Sequence, residues 1–281
     1  MEQLTGTADE LSVLLDGVRV SATRWCRASV SPPWGIAVAA LHRPVFWLPV
    51  RGGSWFETDT GGRFWAATGD VVVVTHGSAH RLRDDPASPI GPDDIHQRST
   101  ADDRTELLCG DASLGGARLP AVLPDVLHLP REHVRAGSLD AVLADRSPGS
   151  AAVVARTTED LLLRAVRHHG PGVDTDPAVL AALRLIRAEP ARAWTVTELA
   201  ATAGMSRSVF AARFAASMGE PPMRYLTRYR MTRAAAHLRG GDLPLRTIAR
   251  LTGYDSEAAL SRAFRRSYGV PPSAYRTRPS G

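Results

Sequence analysis

Arginine and cysteine are the side chains whose type and placement in this sequence invite chemistry. All 34 basic residues are Arg and none is Lys, and a guanidinium offers a planar fork of donors suited to phosphate oxygens and to the acceptor edge of guanine. Their distribution matters more than their number. Residues 178–281 hold 17 Arg against 6 acidic residues, whereas residues 1–177 hold 17 against 23. Such asymmetry is expected when one domain meets nucleic acid and the other does not, a solvated Arg-rich surface being the plainer alternative. Cys26 and Cys109 are the only cysteines, too few for a disulfide-stapled secreted fold or a four-thiolate zinc site. Arg24 and Arg27 flank Cys26 and would favour its thiolate, and with it a reversible disulfide or an oxidised thiol as a switch. Cys109, however, sits in Leu107-Leu108-Cys109-Gly110, which reads as a core strand, and two buried, inert thiols are the favoured expectation. A direct disulfide would need Cα atoms within about 7 Å.

The arginines can act only if some element presents them, and an internal repeat supplies it. Leu199-Ala200, Gly204, Phe210, Phe214, Gly219, Pro221-Pro222 and Tyr225 recur as Ile248-Ala249, Gly253, Leu260, Phe264, Gly269, Pro271-Pro272 and Tyr275. The offset is 49 residues before the turn and 50 after it, which places a one-residue insertion in the second turn. Each copy reads as a short helix, a Gly where the chain turns sharply, a capping residue, and a second helix with apolar residues four apart. Ser206 caps the first of these second helices, and Asp255 or Ser256 the other. This is helix-turn-helix grammar; a duplicated hairpin used only for packing would not require the basic charge. Upstream, Asp176-Pro177 opens a helix carrying Val179, Leu180, Leu183 and Ile186, and Thr195-Val196-Thr197-Glu198 fits a capping box. Between the copies, Pro221-Pro222 to Gly240-Gly241 predicts a helix with Met223, Met231, Ala234 and Leu238 on one face. Its length of about 25 Å approaches one DNA turn of about 34 Å, so one chain could enter two successive major grooves.

The segment from about Ala178 to Arg278, a third of the chain, resembles the AraC/XylS-type DNA-binding domain. The likeness rests on Glu198-Leu199-Ala200 and Gly204-Met205-Ser206 in the first unit, and on Ile248-Ala249, Gly253-Tyr254, Phe264, Gly269 and Pro271-Pro272-Ser273-Ala274-Tyr275-Arg276 in the second. It implies that the second helix of each unit reads the major groove of double-stranded promoter DNA, and that the protein recruits or repositions RNA polymerase. With Phe210 and Phe214 turned inward, Arg207, Ser208, Ala211 and Ala212 face outward beside Ser206; with Leu260 and Phe264 inward, Glu257, Ser261, Arg262 and Arg265 are free beside Ser256. Arg262 suits bidentate contact with guanine and Glu257 can accept from cytosine N4, although a lone Arg here could equally hold phosphate. Ala211 and Ala212 offer only small apolar contacts, so the first unit is expected to read sequence more weakly than the second.

Before this segment the pattern is different. Between about Ser21 and Thr75, short apolar runs alternate with Gly-rich turns, the signature of a small antiparallel sandwich or barrel. Gly69-Asp70-Val71-Val72-Val73-Val74-Thr75-His76-Gly77-Ser78-Ala79-His80 resembles a cupin motif, with Thr75 where Pro is usual. Cupin enzymes need a further His and Glu set on an earlier strand, and the stretch from Val38 to Val45 offers only His42. His42, His76 and His80 are therefore read as loop and turn histidines, with no metal and no cofactor expected. Five Trp lie in this region, and Trp47, Trp55, Trp65 and His80 are candidates to line an apolar ligand pocket, filling of a small β-core being the alternative. The cysteine pair also resembles an arrangement seen in some regulators with this type of sensor domain. Ala151 to His169, with Val154, Leu161, Leu162 and Val166, reads as an amphipathic helix that packs on the barrel or on a second copy.

The expected architecture is therefore α+β: a cupin-like sensor and dimerisation domain over 1–169, a Gly/Pro linker over 170–177, and an all-α domain of two helix-turn-helix units over 178–281. The expected function is a DNA-binding transcription regulator, an activator answering a small molecule or an oxidant. No stretch of about 18 apolar residues occurs and residues 1–16 lack a leader pattern, so a cytoplasmic protein without a membrane partner is expected. The rival readings are a cupin-type metal enzyme or a DNA-repair protein carrying such a module, and an interaction module for acidic partners; no catalytic residue is assigned.

Overall fold

The structure, a computed structural model, describes residues 9–59, 62–91, 102–115, 117–134, 139–170 and 173–276. In chain order the elements are α1 (Glu10–Leu15), β1 (Ala22–Val30), β2 (Gly35–Val38), β3 (Val45–Arg51), β4 (Ser54–Thr58), β5 (Arg63–Ala66), β6 (Val71–Val74), β7 (His80–Arg83), β8 (Thr105–Ser113) and β9 (Val126–Leu129). Then follow α2 (Leu139–Ala144), α3 (Ser150–His169), α4 (Pro177–Ala188), α5 (Val196–Ala201), α6 (Arg207–Met218), α7 (Pro222–Arg239), α8 (Leu245–Leu251), α9 (Glu257–Tyr268) and α10 (Pro272–Arg276). They sort into two compact units, one of residues 20–113 and 123–172, the other of the helical remainder.

The first unit is a sandwich of two antiparallel sheets, ordered β1-β8-β3-β6-β9 and β2-β7-β4-β5. Alternation along each strand sends Ala28, Val30, Trp47, Phe56, Leu82 and Leu107 into the space between the sheets. β6 is an unbroken run of Val because both of its faces are covered: Val72 and Val74 join the inter-sheet core, while Val71 and Val73 are equally buried on the side where α3 packs. α3 crosses β1, β6 and β9 with Leu161, Leu162, Ala165 and Val166 buried. Its Thr158 hydroxyl accepts from the Trp25 indole at 3.2 Å.

The Gly-rich stretches differ in what they do. β4 and β5 form the expected hairpin, pairing Ser54 with Ala66 through Glu57 with Arg63; Thr60 and Gly61 of its turn lie outside the described residues. Arg51-Gly52-Gly53, one of the Gly-rich turns between short apolar runs, makes no hairpin but carries the chain from one sheet to the other, since β3 pairs with β6 and β8 but not with β4. Close approach explains the glycine, for a Cβ on Gly53 would meet the Trp65 ring at 2.2 Å. β9 has no local sequence signal of its own, its four residues lying between Pro124 and Pro130.

The helical unit is larger than residues 178–281. Residues 9–19 and 114–122, both expected within the N-terminal domain, pack with it, because Val13 and Leu14 of α1 enter one core with Val179, Leu183, Ile186, Leu199, Phe210 and Phe214. Asp16 pairs with Arg187 at 3.3 Å. Pro171 and Gly172 of the expected linker lie outside the described residues, while Asp176 caps α4 by accepting from the Ala178 amide at 2.9 Å.

Both copies of the repeat fold alike. Gly204 and Gly253 turn with φ of 64° and 74°, and Gly219 and Gly269 close the second helices at 73° each. The expected core face of α7 is corrected at its start: Met223 is exposed, and Tyr225, Leu226 and Tyr229 are the residues that turn inward. The two turn glycines are expected to differ in tolerance. Gly204→Ala meets open space and is expected to cost only the left-handed backbone penalty of about 1–2 kcal/mol. Gly253→Ala adds a clash with the Ala191 carbonyl and the Arg230 guanidinium, both at 2.7 Å, and should cost more. Denaturant unfolding followed by helical signal compares them; equal losses would contradict this ranking.

Candidate nucleic-acid interface

Each second helix of the pair is set by a cap at one end and large apolar anchors along its inner side. The Ser206 hydroxyl accepts from the Val209 amide at 3.4 Å, and the Ser256 hydroxyl accepts from the Ala259 amide at 3.1 Å, so Ser256 rather than Asp255 is the cap of α9. A capping box opens α5, with the Glu198 amide donating to the Thr195 hydroxyl at 3.1 Å and the Thr195 amide to the Glu198 carboxylate at 2.8 Å. The Thr195 hydroxyl, donating to the Glu198 carboxylate at 2.7 Å, and the Thr195 amide together hold that carboxyl below its ordinary pKa. Phe210 and Phe214 of α6, and Leu260 and Phe264 of α9, are fully buried.

With those anchors fixed, the candidate contact residues come out on the outer faces. Arg207, Ser208 and Ala212 of α6 are exposed and Ala211 is half-buried; Glu257, Arg262 and Arg265 of α9 are exposed and Ser261 is half-buried. Ser206 and Ser256 stand at the helix starts, where free backbone N–H groups and the positive end of the helix dipole favour a phosphate. The two candidate sets are unlike: that of α9 holds two guanidiniums and a carboxylate, that of α6 one guanidinium.

Sequence reasoning missed two further candidate surfaces. Val209, 51% exposed on α6, is an apolar side chain larger than either alanine and of a kind suited to a thymine methyl. Arg246 and Arg250 stand one turn apart on the exposed face of α8 and border a cleft of about 700 Å³ that runs to Ser256 and Glu257. Their i, i+4 spacing was the available signal. Arg230 also borders the cleft but is tied to the turn before α5, its guanidinium donating to the Pro190 and Arg192 carbonyls at 2.7 Å each.

The sensor-side candidates sort differently. Cys26 and Cys109 stand directly opposite each other on β1 and β8, Cα atoms 5.3 Å apart, and are joined by a disulfide. The expectation of two separate thiols is thereby corrected, for adjacent strand order and register bring together residues 83 apart in sequence. The flanking guanidiniums have carboxylate partners, Arg24 on Asp111 at 2.8 Å and Arg27 on Glu106 at 3.0 Å. The four candidate pocket residues are not brought together. Trp47 and His80 lie between the sheets, whereas Trp55 and Trp65 pack edge to face, ring centroids 5.7 Å apart, with Trp65 43% exposed. A strand alternates its faces, so Trp55 cannot join the side occupied by its neighbour Phe56.

His80 is a satisfied core histidine. The Trp47 indole N–H donates to its Nε2 at 2.9 Å, which leaves Nδ1 as the protonated nitrogen, donating to the Ser78 carbonyl at 2.7 Å. Burial, outweighing the Ser78 hydrogen bond and the charge of Asp59, holds its pKa below the ordinary imidazole value.

The fold and its interface define a class of protein: a cupin sandwich joined to paired helix-turn-helix units. A cupin family model matches residues 9–170, and a helix-turn-helix domain model matches residues 199–278. A putative AraC-like transcription regulator of Streptomyces lividans is 35% identical, the alignment covering 76% of this chain and 80% of that one. The RCS-specific HTH-type transcriptional activator RclR of Escherichia coli is 30% identical over 81% of this chain and 82% of its own. The HTH-type transcriptional regulator AlkR of Acinetobacter baylyi is 26% identical over 95% and 99%. This chain belongs to the AraC-type transcription regulators with an N-terminal cupin domain. Among the described residues no helix is long and apolar enough to cross a membrane.

Two measurements probe these sites. Arg262→Ala is expected to relax discrimination at one operator position by about 1–3 kcal/mol, read as affinity across single-base operator variants; a loss uniform across all variants would make Arg262 a phosphate contact. The second concerns pH. Because the unfolded imidazole takes a proton near pH 6.5 and folded His80 takes one only at lower pH, stability is full above about pH 6.5 and declines below it. Unfolding at pH 7.5 and 5.5 should show a steeper acid loss in the native chain than in His80→Gln; identical losses would exclude this role.

Proposed function

We propose that the chain binds operator DNA with α6 and α9 in successive major grooves and activates transcription at promoters through contact with RNA polymerase. The observation that carries this reading is the pairing of two capped helices with polar outer faces on one rod. α7 has 18 residues, about 27 Å at 1.5 Å each, against about 34 Å per DNA turn. The proposed contacts are Arg207, Ser208, Ala211 and Ala212 from α6, and Glu257, Ser261, Arg262 and Arg265 from α9, with Ser206 and Ser256 at phosphates. α9 supplies most of the base reading. No step in this role calls for a catalytic residue.

The signal we propose is an oxidant acting on Cys26 and Cys109. Their disulfide supports it, because a cytoplasmic protein whose thiols are normally kept reduced usually forms such a bond for sensing or catalysis. The similarity to RclR, named as an RCS-specific activator, supports it further. In this reading the two thiols give up two protons and two electrons to a two-electron oxidant such as a peroxide or hypohalous acid, and cellular dithiols return them. A small-molecule pocket has less support, since Trp47 and His80 are core residues and Trp55 and Trp65 lie on the opposite face. Two chains pairing through the helices that flank the sandwich would place two such units on DNA.

Genome-wide mapping of bound sites, with matched transcript levels, tests both halves. Discrete promoter sites are expected, and the native chain should change occupancy or transcription within minutes of oxidant while Cys26→Ser and Cys109→Ser do not. Bound sites with no oxidant response in the native chain would reject the switch and leave DNA reading standing. Absence of discrete sites would reject the first half.

A further inference from the structure

The segment between β8 and β9 acts as a strap on the helical unit. Leu114 and Leu119 are buried there, and the segment meets the C-terminal ends of both DNA-reading helices. The Val122 amide donates to the Ser217 carbonyl of α6 at 3.0 Å, and the Tyr268 hydroxyl at the end of α9 donates to the Gly115 carbonyl at 3.1 Å. A cavity of about 470 Å³ opens among this strap, α7 and the last turn of α9. Small-molecule sites commonly span about 300–1,000 Å³.

The chemistry of the cavity is one-sided. Arg118, Arg224, Arg228 and Arg266 line it against one carboxylate, Glu220. Glu220 is buried and committed to Arg228, whose Nε and Nη2 both lie 2.7 Å from its Oε1. Among the described residues, Arg118, Arg224 and Arg266 have no carboxylate partner, and all three border the one hollow. Ser267 adds a hydroxyl, the Thr227 hydroxyl being committed as a donor to the Met223 carbonyl at 2.9 Å, while Met231 and the Tyr268 ring supply an apolar wall for carbon. Arg forks grip phosphate oxygens with charge-assisted hydrogen bonds. The cavity also lies at the opposite ends of α6 and α9 from the Ser206 and Ser256 caps.

We propose that this cavity binds a small organic molecule bearing phosphate, held by Arg118, Arg224 and Arg266, and that its binding fastens the strap to α7 and α9. This is a second input, within the helical unit, and it does not depend on the cysteine pair. The strap residue Arg118, the α7 residue Arg224 and the α9 residue Arg266 come from three separate segments, so one bridging anion ties the three together.

Titration of the full-length chain with inorganic pyrophosphate at constant ionic strength, followed by calorimetry, is the direct test. Saturable binding of one anion per chain is expected, with Arg118→Ser and Arg224→Ser each weakening it about tenfold, the size of one lost charge-assisted contact. Arg233→Ser, on the same helix but outside the cavity, should leave it unchanged. Hydrogen exchange at the Val122 amide should slow when the anion is bound. All three arginines are exposed, and thermal unfolding without ligand checks that the variants fold; Arg266→Ser replaces any that does not. No saturable binding, or an equal loss in Arg233→Ser, overturns the proposal. So does weakened DNA retention in the Arg118 and Arg224 variants without pyrophosphate binding, which would make the cavity part of a DNA-backbone surface.

Discussion

Helix α7 belongs to two hydrophobic cores, and the helical unit depends on that sharing. Its first half sends Tyr225, Leu226 and Tyr229 into the core that seats Phe210 and Phe214; its second half sends Met231, Ala234, Ala235 and Leu238 into the core that seats Leu260 and Phe264. Each of α6 and α9, the proposed DNA-reading helices, is thus anchored to the same rod, and its separation from the other is set by the length of α7. Burial raises the pKa of Tyr225 against the opposing charges of Arg187 and Arg228, which keeps a neutral phenol in the first core. The Arg228 guanidinium lies 4.9 Å from the centre of the Tyr225 ring while it pairs with Glu220, so the middle of the rod is stiffened by a cation over an aromatic face as well as by packing.

A rod with two seats need not carry two equal readers. The structure keeps the apolar inner faces of α6 and α9 alike and leaves their outer faces free to differ, so the anchoring and the DNA contacts can vary independently. α9 exposes the polar side chains Glu257, Arg262 and Arg265, the proposed base readers; α6 exposes Val209 beside Ala212, a surface proposed for methyl groups and phosphate. On the sensor side, β8 pairs with both β1 and β3 and runs on into the strap. Cys109 and Leu114 are five residues apart on that one run. The proposed oxidation site and the proposed anion cavity are therefore joined by a short, continuous segment.

The sequence by itself determined the elements whose signals are local. The offset repeat disclosed both helix-turn-helix units, because Gly204 and Gly253 need positive φ and the spacing of Phe210 with Phe214 and of Leu260 with Phe264 marks an inner face. Thr195 with Glu198, Ser206 and the α+β class were legible for the same reason: a cap or a periodicity lies within a few residues of itself. Charge counting separated the basic third from the acidic remainder without any fold at all.

What only the tertiary structure decided were pairings between distant residues. No local pattern says that β1 lies beside β8, and the meeting of Cys26 with Cys109 follows from that neighbourhood and its register. The Trp residues looked like one aromatic set because sequence counts rings but not faces; alternation put Trp47 inside and Trp65 outside. His80 looked like a candidate contact until the Trp47 indole and the Ser78 carbonyl occupied both of its nitrogens. Residues 9–19 and 114–122 joined the helical unit because Val13, Leu14 and Val122 found apolar partners far along the chain. Burial is a property of the folded neighbourhood, and a sequence carries it only where the neighbours are also near in the chain.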